Sequence, residues 1–259
     1  MLKSHLLKNS QIAERAAKRA LSVASGFINN PYILSNDFKD IKTKADIAMN
    51  EVILSELRQT NIAILSEENE FHTKILPERC WVIDPLDGTY NFTRKFPFSG
   101  ISIALLENNI PIIGVVVDIF GRHTFSSAMG IGTDKNGSKI TVSKTDRLNN
   151  ATLTTGFPSG ASYEMDHLLN FVQSVQEFKK VRALGAASLM LSLVAEGIFD
   201  VYYEKDIYLW DVAAGLSLVK EAGGRYFLRK TIRSFQYEVL ASNANVFEEA
   251  KALLIRRQN

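Results

Sequence analysis

The sequence predicts a mixed α/β protein in which helices and sheets lie in layers. Three observations point there. Two apolar runs, 101–106 and 110–119, flank Glu107-Asn108-Asn109 and read as a hairpin of largely buried strands. After residue 150, strand-like and helix-like segments alternate, as they do where helices cover a sheet. The chain has 259 residues, 46% hydrophobic and 22% charged, enough to enclose a substantial core.

Each element follows from its local pattern. Residues 10–29 carry Ile12, Ala16, Ala20, Val23 and Phe27 at helical spacing, with Glu14, Arg15, Lys18 and Arg19 on the other side. Asn29-Asn30-Pro31 ends this helix. The polar, Lys-rich stretch 35–44 is expected to be a mobile loop. Asp46 opens a second helix with Met49, Val52, Ile53 and Leu57 on one face. Residues 61–65 read as a short strand, broken by Ser66-Glu67-Glu68-Asn69. A strand through Trp81-Val82-Ile83 then runs into Asp84. After the hairpin, 125–128 and the Asn136-Gly137 turn extend the sheet.

The second half is expected to run strand 151–155, helix 164–177, strand 179–183, helix 186–196, strand 198–203 and helix 211–222. Gly223-Gly224 caps that last helix. Strands at 225–228 and 237–241 and a helix at 246–256 follow. Neither a repeat nor a linker interrupts the chain. One domain over 1–259 is expected, with a soft division near 145–150.

Bulk properties exclude little but point one way. A net charge of +2 gives no argument for nucleic acid. The single Cys80 excludes an internal disulfide and reads as a small buried residue. No apolar run approaches the roughly 20 residues of a membrane span. The opening MLKSHLLKNSQ lacks an apolar signal core, so the cytoplasm is the expected compartment. His5, His72, His123 and His167 have no metal-site spacing, and Gly130-Ile131-Gly132 reads as a hairpin turn because no helix pattern follows it.

The acids carry the chemistry. Asp46, Glu67-Glu68, Asp84, Asp87 and Asp211 all stand where strands end or helices begin. Any one of them could be a helix cap or a turn residue. As a set they form an oxygen-rich group suited to Mg²⁺ and a phosphate. In Asp84-Pro85-Leu86-Asp87-Gly88-Thr89 the proline stiffens the turn, so both carboxylates can enter one pocket. The Leu86 carbonyl is a further candidate ligand. The N–H groups of Gly88 and Thr89 form an anion site if a helical turn begins there. Phosphatases with an aspartyl nucleophile carry Asp-x-Asp before Gly-Thr. Here the spacing is one residue longer, which changes the side each carboxylate faces and argues against that mechanism.

These residues resemble the inositol monophosphatase family, within the lithium-sensitive, Mg²⁺-dependent sugar and nucleotide phosphatases. Four motifs carry the resemblance: Trp81 to Phe92, WVIDPLDGTYNF; Trp210-Asp211-Val212-Ala213-Ala214-Gly215 with Glu221-Ala222-Gly223-Gly224; Glu67-Glu68 after a strand; and Thr43-Lys44-Ala45-Asp46. The resemblance implies a layered αβαβα fold like that of inositol monophosphatase and fructose-1,6-bisphosphatase, commonly as a homodimer. It implies that Glu67, Asp84 and the Leu86 carbonyl bind a first metal ion, and Asp84, Asp87 and Asp211 a second. Glu68 would help at a weaker third site. Asp46 and Thr89, with Glu67, would be the catalytic residues that orient and activate water. Gly88 and Thr89 would hold the phosphate. Glu204, Asp211 and Gly185-Ala186-Ala187 would face the alcohol of the substrate. Residues 1–147 then form the metal and phosphate half, and 148–259 the substrate side.

Some positions depart from the family pattern. Ser66 stands where many relatives have Gly, and Ala186 where Ser or Thr is usual. Ser35 replaces the mobile-loop lysine, with Lys39 nearby, and 228–236 is short. None of these is a ligand position; all bear on which alcohol is accepted. The reading is a phosphomonoesterase for a small polyol or sugar phosphate, with inositol 1-phosphate first. Alternatives are 3′-phosphoadenosine 5′-phosphate, histidinol phosphate or fructose 1,6-bisphosphate as substrate, or a regulatory partner-binding protein on the same fold.

Overall fold

The computed structural model describes residues 2–37, 40–69, 75–158 and 165–255. Its first helix, α1 (Leu2–Phe27), starts well before residue 10, where the periodicity placed it. Neither Gly nor Pro interrupts 2–10, and Leu6 extends the buried face made by Ala13, Ala17, Ala20 and Ala24. The expected mobile loop over 35–44 is instead a hairpin of β1 (Ile33–Asp37) and β2 (Asp40–Thr43). The two strands pair only with each other, and their polar sequence lacks the alternation of a half-buried strand. Lys39 lies outside the described residues.

Helix α2 (Lys44–Leu57) leads to β3 (Ala63–Ser66), β4 (Arg79–Asp87) and the short α3 (Thr89–Thr93). Strands β5 (Gly100–Glu107), β6 (Ile110–Asp118), β7 (Thr124–Ala128), β8 (Gly132–Lys135) and β9 (Ser138–Lys139) complete a seven-stranded sheet in sequence order. Only β3 and β4 run parallel in it. The β5–β6 hairpin turns at Asn108-Asn109, both with positive φ, as a tight primed turn requires.

The second sheet has five strands. In chain order its region contains β10 (Thr152–Thr155), α4 (Met165–Val175), β11 (Lys180–Ala183), α5 (Ala187–Ala195), β12 (Val201–Tyr208), α6 (Leu209–Glu221), β13 (Arg225–Lys230), β14 (Gln236–Ser242) and α7 (Phe247–Leu254). The spatial order is β11-β10-β12-β14-β13. The strand expected at 198–203 thus runs to Tyr208, and the helix after it starts at Leu209. The Gly223 and Gly224 N–H groups donate to Lys220 and Val219 carbonyls, the paired bonds of a Schellman end to α6.

Strand alternation sets the layers. Ile101, Ile103 and Leu105 of β5 join the core under α1 and α2, while Ala104 and Leu106 join the core of α5 and α6. The inner face of the five-stranded sheet, with Tyr202, Val239 and Ala241, packs on that same α5–α6 layer. Leu153, Val201 and Leu240 point the other way, towards Phe247, Ala250 and Leu254 of α7. The arrangement is αβαβα. Among the described residues no helix is long and apolar enough to cross a membrane.

Candidate active site

The two acids of β4 are brought to one face by a bulge. Asp84 lies opposite Ser102, and Asp87 opposite Gly100, so three steps along β4 match two along β5. In a regular strand, residues three apart face opposite ways. The extra residue puts Asp84 and Asp87 on the same side, that of α5 and α6. Pro85 sits inside the bulge, where its missing N–H costs no ladder bond. The Leu86 N–H leaves the ladder and donates to Asp84 Oδ1 at 2.8 Å.

Other elements deliver the remaining acids. Glu67 follows the end of β3, and its N–H donates to the Ile83 carbonyl at 3.2 Å. Asp211 is the third residue of α6, and no side-chain cap is made at that helix start. Ser102 Oγ donates to the Trp210 carbonyl at 2.8 Å, fixing the first turn of α6 against β5. The result is a group of three carboxylates, Glu67, Asp84 and Asp211, whose ligand atoms lie within 4.8 Å of one another.

Crowding shifts these groups upward. Burial first, and then the charges of Glu67, Asp87 and Asp211, push Asp84 well above the usual carboxylate range. Burial, Glu67, Asp87 and Glu204 do the same to Asp211. Glu67 is exposed as a residue, yet its carboxyl end turns in among the acids. Loss of water there raises its pKa, a hydrogen bond with Asp84 opposes the rise, and Glu68, Asp46 and Asp87 add to it. Three carboxylates this close repel one another unless a cation or protons intervene. An all-oxygen donor set of this kind fits a hard divalent ion.

Asp87 stands just outside that group. Its Oδ2 accepts the Ser188 N–H at 2.7 Å and the Ser188 O–H at 2.6 Å. Burial pushes its pKa up to about 6, against the pull of these donors from α5.

The water-side residues are linked as well. Thr43 caps α2: its Oγ1 accepts the Ala45 N–H at 3.1 Å, and its own N–H donates to Asp46 Oδ2 at 2.7 Å. Thr89 Oγ1 lies 3.1 Å from Asp46 Oδ1 and 2.9 Å from the Leu86 carbonyl, so its single proton serves one of them at a time. Burial raises Asp46 to about 6 despite the Thr43 donors.

Gly88 begins α3 at φ 80°, a conformation only glycine adopts freely. A Cβ there would stand 3.0 Å from both Ala186 Cβ and the Gly185 carbonyl. Gly185-Ala186-Ala187 is thereby placed beside the turn. Asn91 Nδ2 holds that loop by donating to the Leu184 carbonyl at 2.7 Å. Glu204 is 3% exposed on β12, against Gly156, and burial followed by the charge of Asp87 pushes it up to about 8.

The structure therefore brings Asp46, Glu67, Asp84, Leu86, Asp87, Gly88, Thr89, Ala186, Glu204 and Asp211 close to one another. Glu68 is not one of the three clustered acids; it pairs with Lys42 of β2, while its charge still reaches Glu67 and Asp46. Sequence reading named Thr43 in a motif without giving it a role, and missed Lys42 and Ser188. Thr43-x-x-Asp46 has capping-box spacing and could have been found. Ser188 gave no signal, since its partner lies 101 residues away. His72 lies outside the described residues, and His123 bonds Asn136 at 3.1 Å.

The sequence profile of the inositol monophosphatase family matches residues 3–258. The chain belongs to the inositol monophosphatase family. This is a family of metal-dependent phosphoric monoester hydrolases. Inositol-1-monophosphatase of Synechocystis sp. is 38% identical over 188 residues, covering 71% of this family member and 66% of that protein. The chain thus spans about two thirds of that relative's length. Nus factor SuhB of Xylella fastidiosa is 36% identical over 221 residues, covering 82% of this chain and 79% of that protein. The solved inositol monophosphatase of Anabaena (Nostoc) sp. superposes with a TM-score of 0.80 at 31% identity, covering 97% of this chain and 96% of that one.

Proposed function

We propose that this inositol monophosphatase family member is a Mg²⁺-dependent phosphomonoesterase for a small polyol or sugar phosphate, with inositol 1-phosphate the first candidate. The observation that carries the reading is the convergence of Glu67, Asp84 and Asp211 from three separate elements. Glu67, Asp84 and the Leu86 carbonyl would hold one ion, and Asp84, Asp87 and Asp211 another. Bound there, the ions would supply charge stabilisation to the phosphoryl group and lower the pKa of water.

The chain's own residues do the rest. Gly88 and Thr89 present backbone N–H groups to the phosphate. Thr89 and Asp46 form a hydroxyl–carboxylate pair that can orient water and take its proton. Glu204 accepts a hydrogen bond from the substrate alcohol. Ala186 gives no polar contact at its position, so Glu204 is the main polar determinant on that side. Water attacks in line, in one displacement. Neither Asp84 nor Asp87 attacks phosphorus in this reading, because both are assigned to hold cations and the one-residue-longer spacing differs from that of aspartyl-nucleophile phosphatases.

Residues 1–147 would serve metal and phosphate and 148–259 the alcohol. A homodimer, a cytoplasmic location and lithium inhibition accompany the reading by family resemblance. The likeness to Nus factor SuhB supports a second, partner-binding role, without displacing catalysis, because no acid of the set is replaced. The test is phosphate release with Mg²⁺ over a panel of phosphorylated polyols, sugars, nucleotides and histidinol phosphate. Release from a polyol phosphate that stops on chelation is expected. A chiral, isotopically labelled ester should show inversion at phosphorus; retention, the mark of a phosphoaspartate, would overturn the mechanism.

A further inference from the structure

Asp87 is held by a residue 101 positions away on another element, Ser188. Ser188, fully buried at the second position of α5, gives its carboxylate both an N–H and an O–H. Room for the hydroxyl comes from β5. Gly100 lies opposite Asp87, and a Cβ there would stand 2.8 Å from Ser188 Oγ. The hydroxyl is not spent on its own helix. Four residues on, Ser192 Oγ donates to the Ser188 carbonyl at 2.8 Å, the ordinary habit of a helical serine. Ser188 stands too early in α5 for such a back-bond, since the residue four before it, Leu184, lies outside the helix. The one hydroxyl proton goes to Asp87 Oδ2, which thus carries both Ser188 donors, while the Ala187 N–H also acts on the carboxylate.

We propose that Ser188 is a positioning residue whose hydroxyl sets the Asp87 carboxylate in one orientation toward a bound divalent cation. This rests on the reading of Asp87 as a metal ligand. Groups that orient a ligand from behind typically change metal affinity by about 10–100-fold when removed. Without Oγ the carboxylate keeps its backbone donors, Ser188 and Ala187, but loses the hydroxyl that fixes its last torsion. A bidentate or misdirected ligand is then as accessible as the aligned one.

The test is Mn²⁺ binding to the chelator-stripped full chain, read by electron paramagnetic resonance. Ser188→Ala should raise the Mn²⁺ dissociation constant by about tenfold. The urea midpoint of the stripped variant should stay at the parent value, because alanine suits a helix and leaves no donor unpaired. In an Asp87→Asn background, Ser188→Ala should change Mn²⁺ binding by less than about twofold, the signature of a shared interaction. If the parent binds Mn²⁺ and Ser188→Ala binds it equally well, the positioning role is overturned while the metal site stands. If the parent binds no Mn²⁺, the metal reading falls first and the role of Ser188 with it.

Discussion

Two strands deliver acids to the cleft, and both do so through a bulge of one extra residue. On β4, Asp84 and Asp87 lie opposite Ser102 and Gly100; on β12, Glu204 and Ile207 lie opposite Val239 and Tyr237. In each case both ends of the bulge keep the same face. The difference lies in what stands at those ends. On β4 both are carboxylates, stiffened by Pro85 and by the Asp84–Leu86 bond. On β12 one end is Glu204, and the other, Ile207, returns to the core; Asp206 absorbs the turn with a φ of 62°. The same backbone device sets two carboxylates on one face when acids occupy both ends, and a lone acceptor when one end is apolar.

The largest effect should come from breaking the β4 side. Asp84→Asn removes a charge shared by both proposed ions. Loss of several kcal/mol of charge stabilisation at tenfold per 1.36 kcal/mol means a fall in kcat of roughly 10³-fold or more. The chelated variant should melt no lower than the parent, since one repelling charge has left the cluster. Phosphate release and a melting curve on the same sample check both. Turnover near the parent value would remove Asp84 from the ligand set.

On the β12 side the effect should be smaller and substrate-dependent. Glu204→Ala removes one charge-assisted hydrogen bond, roughly 1.5–3 kcal/mol. That is about 10–150-fold in KM for a polyol phosphate, with kcat little changed if the contact acts equally before and during reaction. A phosphate ester without hydroxyls should show no loss. Equal losses on both esters would mean that Glu204 supports the site rather than the substrate.

The two bulges also differ in how legible they were. Asp-Pro-Leu-Asp-Gly-Thr announces a turn, a stiff residue and two acids within six positions, so the β4 site could be read from the chain alone. Glu204-Lys205-Asp206 carries no such mark, and the strand was expected to end before it. The buried sheet, with its apolar runs, was equally readable. The β1–β2 hairpin was not, because its polar strands pair only with each other. Ser188 and Lys42 acquire meaning only from partners that folding brings to them.

Titration separates the two sides further. Asp46 and Asp87 are raised to about 6 from a reference of 3.8, and Glu204 to about 8 from 4.5. A raised carboxyl binds its proton more tightly folded than unfolded. Its contribution to stability is complete below the unfolded pKa and is lost as pH rises through the folded one. The chelated protein should therefore lose stability progressively as pH rises from about 4 to about 8, with Asp46 and Asp87 acting up to about 6 and Glu67 and Glu204 up to about 8. Two units on Asp87 are worth about 3 kcal/mol, so the melting temperature should drop by roughly 5 °C or more over the lower part of this range. Mg²⁺ should remove the share of Asp87 and Glu67, because it holds those acids charged, and leave that of Asp46. The part of the loss that persists with Mg²⁺ up to about pH 8 should vanish in Glu204→Gln, because Glu204 is not one of the proposed ligands and burial is the first cause of its shift. A stability profile of chelated protein that rises from pH 5 to pH 8 would contradict the packing of these acids.

The smallest effect concerns Lys42, which leans from the β1–β2 hairpin onto Glu68. The side chain of Lys42 is 41% exposed and that of Glu68 only 8%, so the pair sits at the rim with one end solvated. Its net contribution to stability should be at most about 1 kcal/mol, and Lys42→Ala should barely move a urea midpoint. Its electrical effect reaches further. Glu68, Asp46 and Glu67 all raise the Lys42 pKa, Glu68 most by its hydrogen bond, so the ammonium in turn offsets negative charge at the mouth of the cleft. Removing it should tighten Mn²⁺ binding by no more than about fivefold at low salt, and the gain should fade at 1 M salt, where screening acts within about 3 Å. Freed from its partner, Glu68 would be the acid nearest to joining Glu67 at a third, weaker position. Calorimetric titration at the two salt concentrations distinguishes the outcomes. Weaker Mn²⁺ binding in Lys42→Ala, or a tenfold loss of turnover, would mean that the lysine organises the acids rather than merely shielding them, and that the cleft depends on the hairpin as much as on the β4 bulge.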